Sequence, residues 1–284
     1  MCYNLGTNYK LFKLLYMAKK NVKIGLALGS GAFRGMAHIG VLKVLERNNI
    51  KVDYLSGSSI GGLVAAYYSI FANATDLEKE LESWPMDNLY KFLDLSWNGG
   101  FIAGNKLSKF LQKKFGETTL EQTKIPVKIL STNLIDGSEI VFDSGKITDA
   151  VRATISVPLM FKPYKFEDKL LVDGAISSPV PIKILKEMGA NFTIGINLYH
   201  KNEFKKSKFT VTKIAMRSTR IALYNLAKND VMAADISICP DTSDIISNEV
   251  VTSYDMNMVR KIIKIGEKAA EEAIPEIKKA LGRK

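Results

Sequence analysis

The chain has 284 residues, 46% of them apolar and 24% charged, with a formal net charge of +11 and two cysteines. This balance excludes a disordered chain, which would be poorer in Ile, Leu, Val and Phe. Two cysteines exclude a disulfide framework and point to a reducing compartment. The charge is uneven. Residues 1–23 carry five lysines and no acid, and residues 201–228 carry six lysines, Arg217 and Arg220 against Glu203 alone, so the rest is close to neutral. Such patches attract anionic lipid headgroups or nucleic acid, or simply keep a surface soluble.

In chain order, the N-terminus offers no signal peptide, because its apolar run Leu14–Ala18 is short and bounded by lysines. Residues 1–19 are read as a disordered N-terminal extension. Val22–Leu28 has the short apolar run of a buried strand. A Gly-rich turn follows, after which Ile39, Val41, Leu42 and Leu45 fall at helical spacing. Val52–Gly57 reads as a second strand, and the uncharged stretch Ile60–Ala74 as a helix buried on all sides. That stretch is shorter than the roughly 20 residues a bilayer span requires. Residues 76–115 read as polar helix, broken at Trp84-Pro85 and Gly99-Gly100.

Strands resume at 127–135 and 139–144, joined by the tight-turn pair Asp136-Gly137. A short helix at 148–155 stops before Val157-Pro158. Then come a strand at 169–175, a helix at 182–189, a strand at 192–198, an amphipathic helix at 212–232, a last strand at 234–241 and a helix at 255–281 kinked at Pro275. Alternating elements without a linker predict an α/β fold. Residues 20–284 form one domain, a three-layer α/β/α sandwich around a mostly parallel central sheet.

Three motifs carry chemistry. Gly57-Ser58-Ser59-Ile60-Gly61 fits G-x-S-x-G between a strand and a helix, where a sharp turn pushes the central serine outward and the flanking glycines, Gly57 and Gly61, relieve crowding. Gly29-Ser30-Gly31-Ala32-Phe33-Arg34-Gly35 follows the first strand and presents backbone N–H groups to an anion. It is not a dinucleotide fingerprint, because Arg34 stands where the third glycine belongs, and it lacks the Gly-Lys-Ser/Thr of a phosphate loop. The third motif is a carboxylate. Asp136-Gly137 is explained by its turn. Asp173-Gly174 ends a strand and precedes Pro179 and Pro181, which cannot support an immediate return strand.

Of the two histidines, only His200 follows the serine in the order an α/β-hydrolase triad needs, and nothing in its polar loop orients it. His38 reads as a structural residue under the Gly-rich loop.

The segments GSGAFRGMAHIGVL (29–42), GSSIG (57–61) and DGA (173–175), in this order and at these distances, resemble the three signatures of the patatin-like phospholipase family, in particular its small bacterial branch. The resemblance covers roughly residues 20–281. It implies a patatin-like fold and a serine acyl hydrolase of the esterase or phospholipase A type. Ser59 would be the nucleophile and Asp173 the general base of a Ser–Asp dyad working through an acyl-enzyme. Backbone N–H groups of Gly29, Ser30, Gly31 and Ala32 would form the oxyanion hole, closed by Arg34.

Ser30 and Ala32 stand where the plant-type pattern has glycines, and Ser178 replaces an asparagine after the DGA motif. No metal and no cofactor are implied. The expected partner is a lipid or other acyl ester, with peripheral contact to an anionic membrane from the cytoplasmic side and no nucleic acid. The competing reading is a patatin-fold regulatory or partner-binding protein with little hydrolytic activity.

Overall fold

A computed structural model describes residues 21–84, 102–204, 209–245 and 255–283. The extension at 1–19, the first basic patch up to residue 20, and the break at Gly99-Gly100 lie outside the described residues.

One sheet organises the chain. Its strands are β1 (Ile24–Leu28), β2 (Tyr54–Ser58), β3 (Val127–Asn133), β4 (Glu139–Phe142), β5 (Tyr164–Phe166), β6 (Lys169–Asp173), β7 (Phe192–Ile196) and β8 (Ile236–Ile238). They run in the order β5-β6-β3-β2-β1-β7-β8, with β4 also paired to β3. The centre, β3-β2-β1-β7-β8, is parallel. Antiparallel pairing enters only at β3 with β4 and β6, and between β5 and β6. The three-residue strand β5 is not apparent from the sequence. It exists as the return arm of a hairpin whose turn, Glu167-Asp168, places Glu167 at φ +52°.

Side chains alternate across a strand, so β1 sorts its residues between two faces. Ile24, Leu26 and Leu28 join the larger apolar core, whereas Ala27 joins a smaller one with Val180, Leu185, Ala227 and Val231. Helices α1 (Met36–Arg47), α2 (Ile60–Phe71), α3 (Ala74–Glu82), α4 (Asn105–Phe115), α5 (Ile147–Thr154) and α8 (Met256–Ala280) supply the larger core. Helices α6 (Ile182–Glu187) and α7 (Val211–Met232) serve the smaller one. This is the expected three-layer α/β/α arrangement.

One local detail differs from the sequence reading. The apolar helix α2 ends at Phe71 rather than Ala74. Ala72 turns left-handed, and the Asn73 side chain accepts the Asp76 N–H and so starts α3 as a separate helix.

Helices α1 and α8 cross at backbone contact. A Cβ on Gly40 would sit 2.0 Å from the Ile263 carbonyl oxygen, and one on Gly266 2.0 Å from that of Ala37. Only glycine permits that approach. Helix α8 runs continuously with Pro275 inside it. No helix among the described residues is long and apolar enough to cross a membrane.

Candidate active site

Strands β2 and β6 both deliver their C-terminal ends to the middle of β3. Ser58 is in register with Leu130 from the parallel side, and Asp173 with the adjacent Ser131 from an antiparallel strand. Two residues 114 apart in sequence therefore meet, and the Ser59 hydroxyl donates a hydrogen bond to Asp173 Oδ2 at 2.5 Å.

Ser59 sits on a strained turn, at φ 57° and ψ −128°, and caps α2. The turn is possible because Gly61 passes against β1: a Cβ there would lie 1.9 Å from the Leu28 carbonyl oxygen. The Ser59 N–H is held by Thr154 Oγ1 at 2.8 Å, and that hydroxyl in turn donates to the Leu130 carbonyl. The segment leading to Val157-Pro158 thus supplies a strut beneath the serine.

Asp173 is buried, at 4% exposure, and among the described residues no positive charge is bonded to it. Its Oδ1 accepts the Ala175 N–H at 2.8 Å, and its own N–H donates to the Ser156 carbonyl. Burial raises its pKa to about 6, opposed by the hydrogen bonds from Ser59 and Ala175. A hydroxyl bonded to a desolvated carboxylate is disposed to pass its proton there when it attacks an electrophile.

The Gly-rich loop folds into a 3-10 turn, Ala32–Gly35, at the end of β1. Its peptides are not equivalent. The Gly29 N–H donates to the Ile196 carbonyl, and the Ser30 N–H to the Pro179 carbonyl. Both are therefore occupied, and Ser30 N–H ties the loop to the segment after Asp173. Among the described residues no hydrogen bond engages the N–H of Gly31 or Ala32. Ala32 adopts φ +50°, so it does tolerate the left-handed backbone required there. The free N–H groups of the four-residue set thus narrow to two.

The Gly31 carbonyl accepts Arg34 Nε at 2.9 Å and the Arg34 N–H at 3.2 Å. Because a peptide is planar and trans, fixing that oxygen also fixes the Ala32 N–H on the opposite side. Arg34 is itself buried and makes an ion pair with Glu203, over the Tyr199 ring at 4.9 Å. Glu203 binds Arg220 of α7 at 2.7 Å through its other oxygen and accepts the His200 N–H. Tyr199 and Ser30 share a hydroxyl–hydroxyl bond of 2.9 Å.

His38 lies under the loop, as its spacing suggests. Its Nε2 contacts the Gly29 carbonyl at 2.8 Å, and burial lowers its pKa to about 4. The ring is neutral near pH 7 and Nε2 carries the proton, since a carbonyl only accepts. His200 faces Asp241 at 3.3 Å and accepts the Asn202 N–H, so it is not the partner of Ser59.

The position of Ser178 is also explained. Its hydroxyl and the Val180 N–H both donate to Asp230 of α7, each at 2.9 Å. That contact anchors the loop following Asp173 without the asparagine found elsewhere.

The structure brings the sequence-predicted Ser59 and Asp173 into contact, with the Gly-rich loop at the same end of the sheet. Sequence reasoning missed Glu203, Arg220, Thr154 and Asp230. Of these only Thr154, in the segment before Val157-Pro158, lay within a recognised motif.

A serine hydroxyl bonded to a buried carboxylate, where the parallel β2 and the antiparallel β6 meet on β3, beside a turn with two unengaged N–H groups, is an arrangement that can support acyl transfer. A model of the patatin-like phospholipase family matches residues 26–186, more than half of the chain, and the chain belongs to that family. An uncharacterised NTE family protein of Mycobacterium tuberculosis is 29% identical over 177 residues, 62% of this chain and 49% of that protein. The lysophospholipase NTE1 of Lodderomyces elongisporus is 30% identical over 203 residues, 68% of this chain but 14% of that protein. The chain thus spans about half the length of the first relative and a small part of the second. Among solved structures, VipD from Legionella pneumophila superposes with a TM-score of 0.58 at 13% identity, covering 90% of this chain and 67% of that one. This is a likeness of fold.

Proposed function

We propose that the chain hydrolyses carboxylic esters of lipids, with Ser59 as nucleophile and Asp173 as its only catalytic partner. The observation that carries this reading is the 2.5 Å bond between the Ser59 hydroxyl and the buried Asp173 carboxylate. Ser59 Oγ attacks the ester carbonyl carbon while Asp173 Oδ2 takes its proton. The carbonyl oxygen becomes an oxyanion, received by the N–H groups of Gly31 and Ala32. Collapse of the intermediate breaks the ester C–O bond, and Asp173 returns its proton to the departing alcohol. Water then attacks the acyl-Ser59 ester, giving its proton to Asp173, and the carboxylic acid leaves as Ser59 recovers its hydrogen. Arg34 acts on Gly31 and not on the substrate.

Family membership favours a lipid substrate, and the surroundings agree. Ile176 follows Asp173 by three residues, Leu134 and Ile135 extend β3, and Leu159 and Met160 follow the Ser156-Val157-Pro158 turn; all five are exposed. Exposed apolar side chains on these segments would suit acyl chains, with the protein resting against an anionic membrane from which the substrate is drawn.

The purified chain is expected to hydrolyse p-nitrophenyl esters of graded acyl length, and Ser59→Ala to be inert on all of them. Absence of hydrolysis by the parent on these esters and on phospholipid vesicles would favour a non-enzymatic, partner-binding role. The pH profile is a second expectation. Asp173 must be ionised to accept a proton, so kcat/KM should rise through about pH 6 and level off above it. A rise centred near the ordinary aspartate value of 3.8 would show that Asp173 is not the desolvated base described here.

A further inference from the structure

Helix α7 carries an apolar stripe on the wrong side. Its inner face packs on the sheet through Ala227 and Val231, with Arg220 on the same side bonded to Glu203. Val211, Ile214 and Ile221 fall at helical spacing i, i+3 and i+10, Val211 opposite the inner face and the two isoleucines on the flank beside it. They are 84%, 52% and 44% exposed, and Phe209, just before the helix, is 53% exposed.

The topology fixes where this stripe lies. Strands β7 and β8 are parallel, so α7, which joins them, begins at the end of the sheet where β1 and β2 release the Gly-rich loop and Ser59. At 1.5 Å per residue, Ala227 lies about 24 Å from the start of the helix. The first half of α7 therefore projects beyond the end of the sheet that carries the site. Arg217, stacked over Phe204 at 5.7 Å and over Phe209 at 5.6 Å, braces its base.

We infer that the outer face of α7 is the surface by which this protein docks on an anionic lipid bilayer. Val211, Ile214, Ile221 and Phe209 would enter the headgroup–acyl boundary, and Arg217 and Lys228, at the flank of the stripe, would meet the lipid phosphates. Charge selects this occupant. No Asp or Glu occurs from 209 to 229, so a second copy packed on the stripe would oppose like charges across its two-fold axis, whereas an anionic bilayer complements them. The choice of a lipid surface rests on the lipid-ester reading of the site, but the docking does not require catalysis.

The test uses the full chain carrying Ser59→Ala, so that hydrolysis does not alter the vesicles. Flotation with phosphatidylcholine vesicles is compared with vesicles containing one third phosphatidylglycerol. Binding is expected only to the anionic vesicles, to weaken in high salt, and to fall at least tenfold in Val211→Asp/Ile214→Asp/Ile221→Asp. With Ser59 intact, the triple variant should keep the parent's thermal melt and its rate on a soluble short-chain ester, which separates failure of docking from failure of the active site. Equal vesicle binding by parent and triple variant, as the lysine-rich N-terminus alone would give, would overturn the inference. So would no binding by the parent, or a dimer that the triple substitution dissolves.

Discussion

Asp173→Asn is expected to lower kcat on a soluble ester by about ten-thousand-fold while the protein stays folded, the size of effect seen when an aspartate that supports a serine nucleophile is neutralised. The asparagine amide preserves shape, its oxygen keeping the Ala175 N–H while its NH2 donates to Ser59 Oγ, but it cannot take the proton. Neither histidine substitutes, since His200 is held by the Asn202 N–H and His38 by the Gly29 carbonyl. Combining this change with Ser59→Ala should add almost nothing, because the two residues act as a unit.

Stability should move the other way. Burial holds the folded-state pKa of Asp173 at about 6, above its ordinary 3.8. The folded form thus binds the extra proton between those values, and stability is lost as pH rises through this window. At pH 7.5 the ionised carboxylate is a cost that asparagine removes. Asp173→Asn should accordingly melt above the parent at pH 7.5, and that advantage should vanish near pH 4. Thermal melts of both proteins at the two pH values check the sign.

Glu203→Gln is expected to be the most disruptive change away from the reacting atoms. Glu203 accepts from Arg34, Arg220 and the His200 N–H, and its side chain is 3% exposed. Removing its charge leaves the Arg34 guanidinium buried without a counter-ion, which costs about 3–5 kcal/mol. Burial already pulls the Arg34 pKa down, and Glu203 is the principal opposing influence.

The same change should reach the chemistry. Arg34 fixes the Gly31 carbonyl and through it the Ala32 N–H, so an unanchored Arg34 loosens the oxyanion site. The expected outcome is a lower kcat with little change in KM, and a pH midpoint still near that of the parent because Asp173 is untouched. Arg220→Ala, which leaves the Arg34–Glu203 pair standing, should be milder on both counts. A Glu203→Gln protein as stable and as active as the parent would remove Arg34 from its positioning role.

What was legible in the sequence was what is local. G-x-S-x-G encodes its own strained turn, and the collision of a Gly61 side chain with Leu28 shows why those letters are required. Asp173 could be found because Pro179 and Pro181 mark its loop as something other than a hairpin. Helix α3 was also legible in principle, since Asn73 is a good N-cap, but the apolar run around it drew the helix too far.

The remainder depends on distant partners. Arg34 and Glu203 are 169 residues apart, and Glu203 stands in a polar loop where an acid needs no explanation. Which N–H groups of the Gly-rich loop are free is decided by the Ile196 and Pro179 carbonyls, which no pattern within the loop reveals. Strand β5 was missed because three residues carry too little alternation; its partner β6 defines it.

The central claim is that Ser59 is the nucleophile, and the most direct measurement is where a covalent acyl-site probe lands. The chain is treated with a fluorophosphonate, digested and mapped by mass spectrometry, beside Asp173→Asn. A single phosphonyl adduct on Ser59, formed quickly in the parent and far more slowly in Asp173→Asn, is the predicted result. An adduct on another serine, or labelling of Ser59 at the same rate in both proteins, would contradict the Ser59–Asp173 pair as the reacting unit.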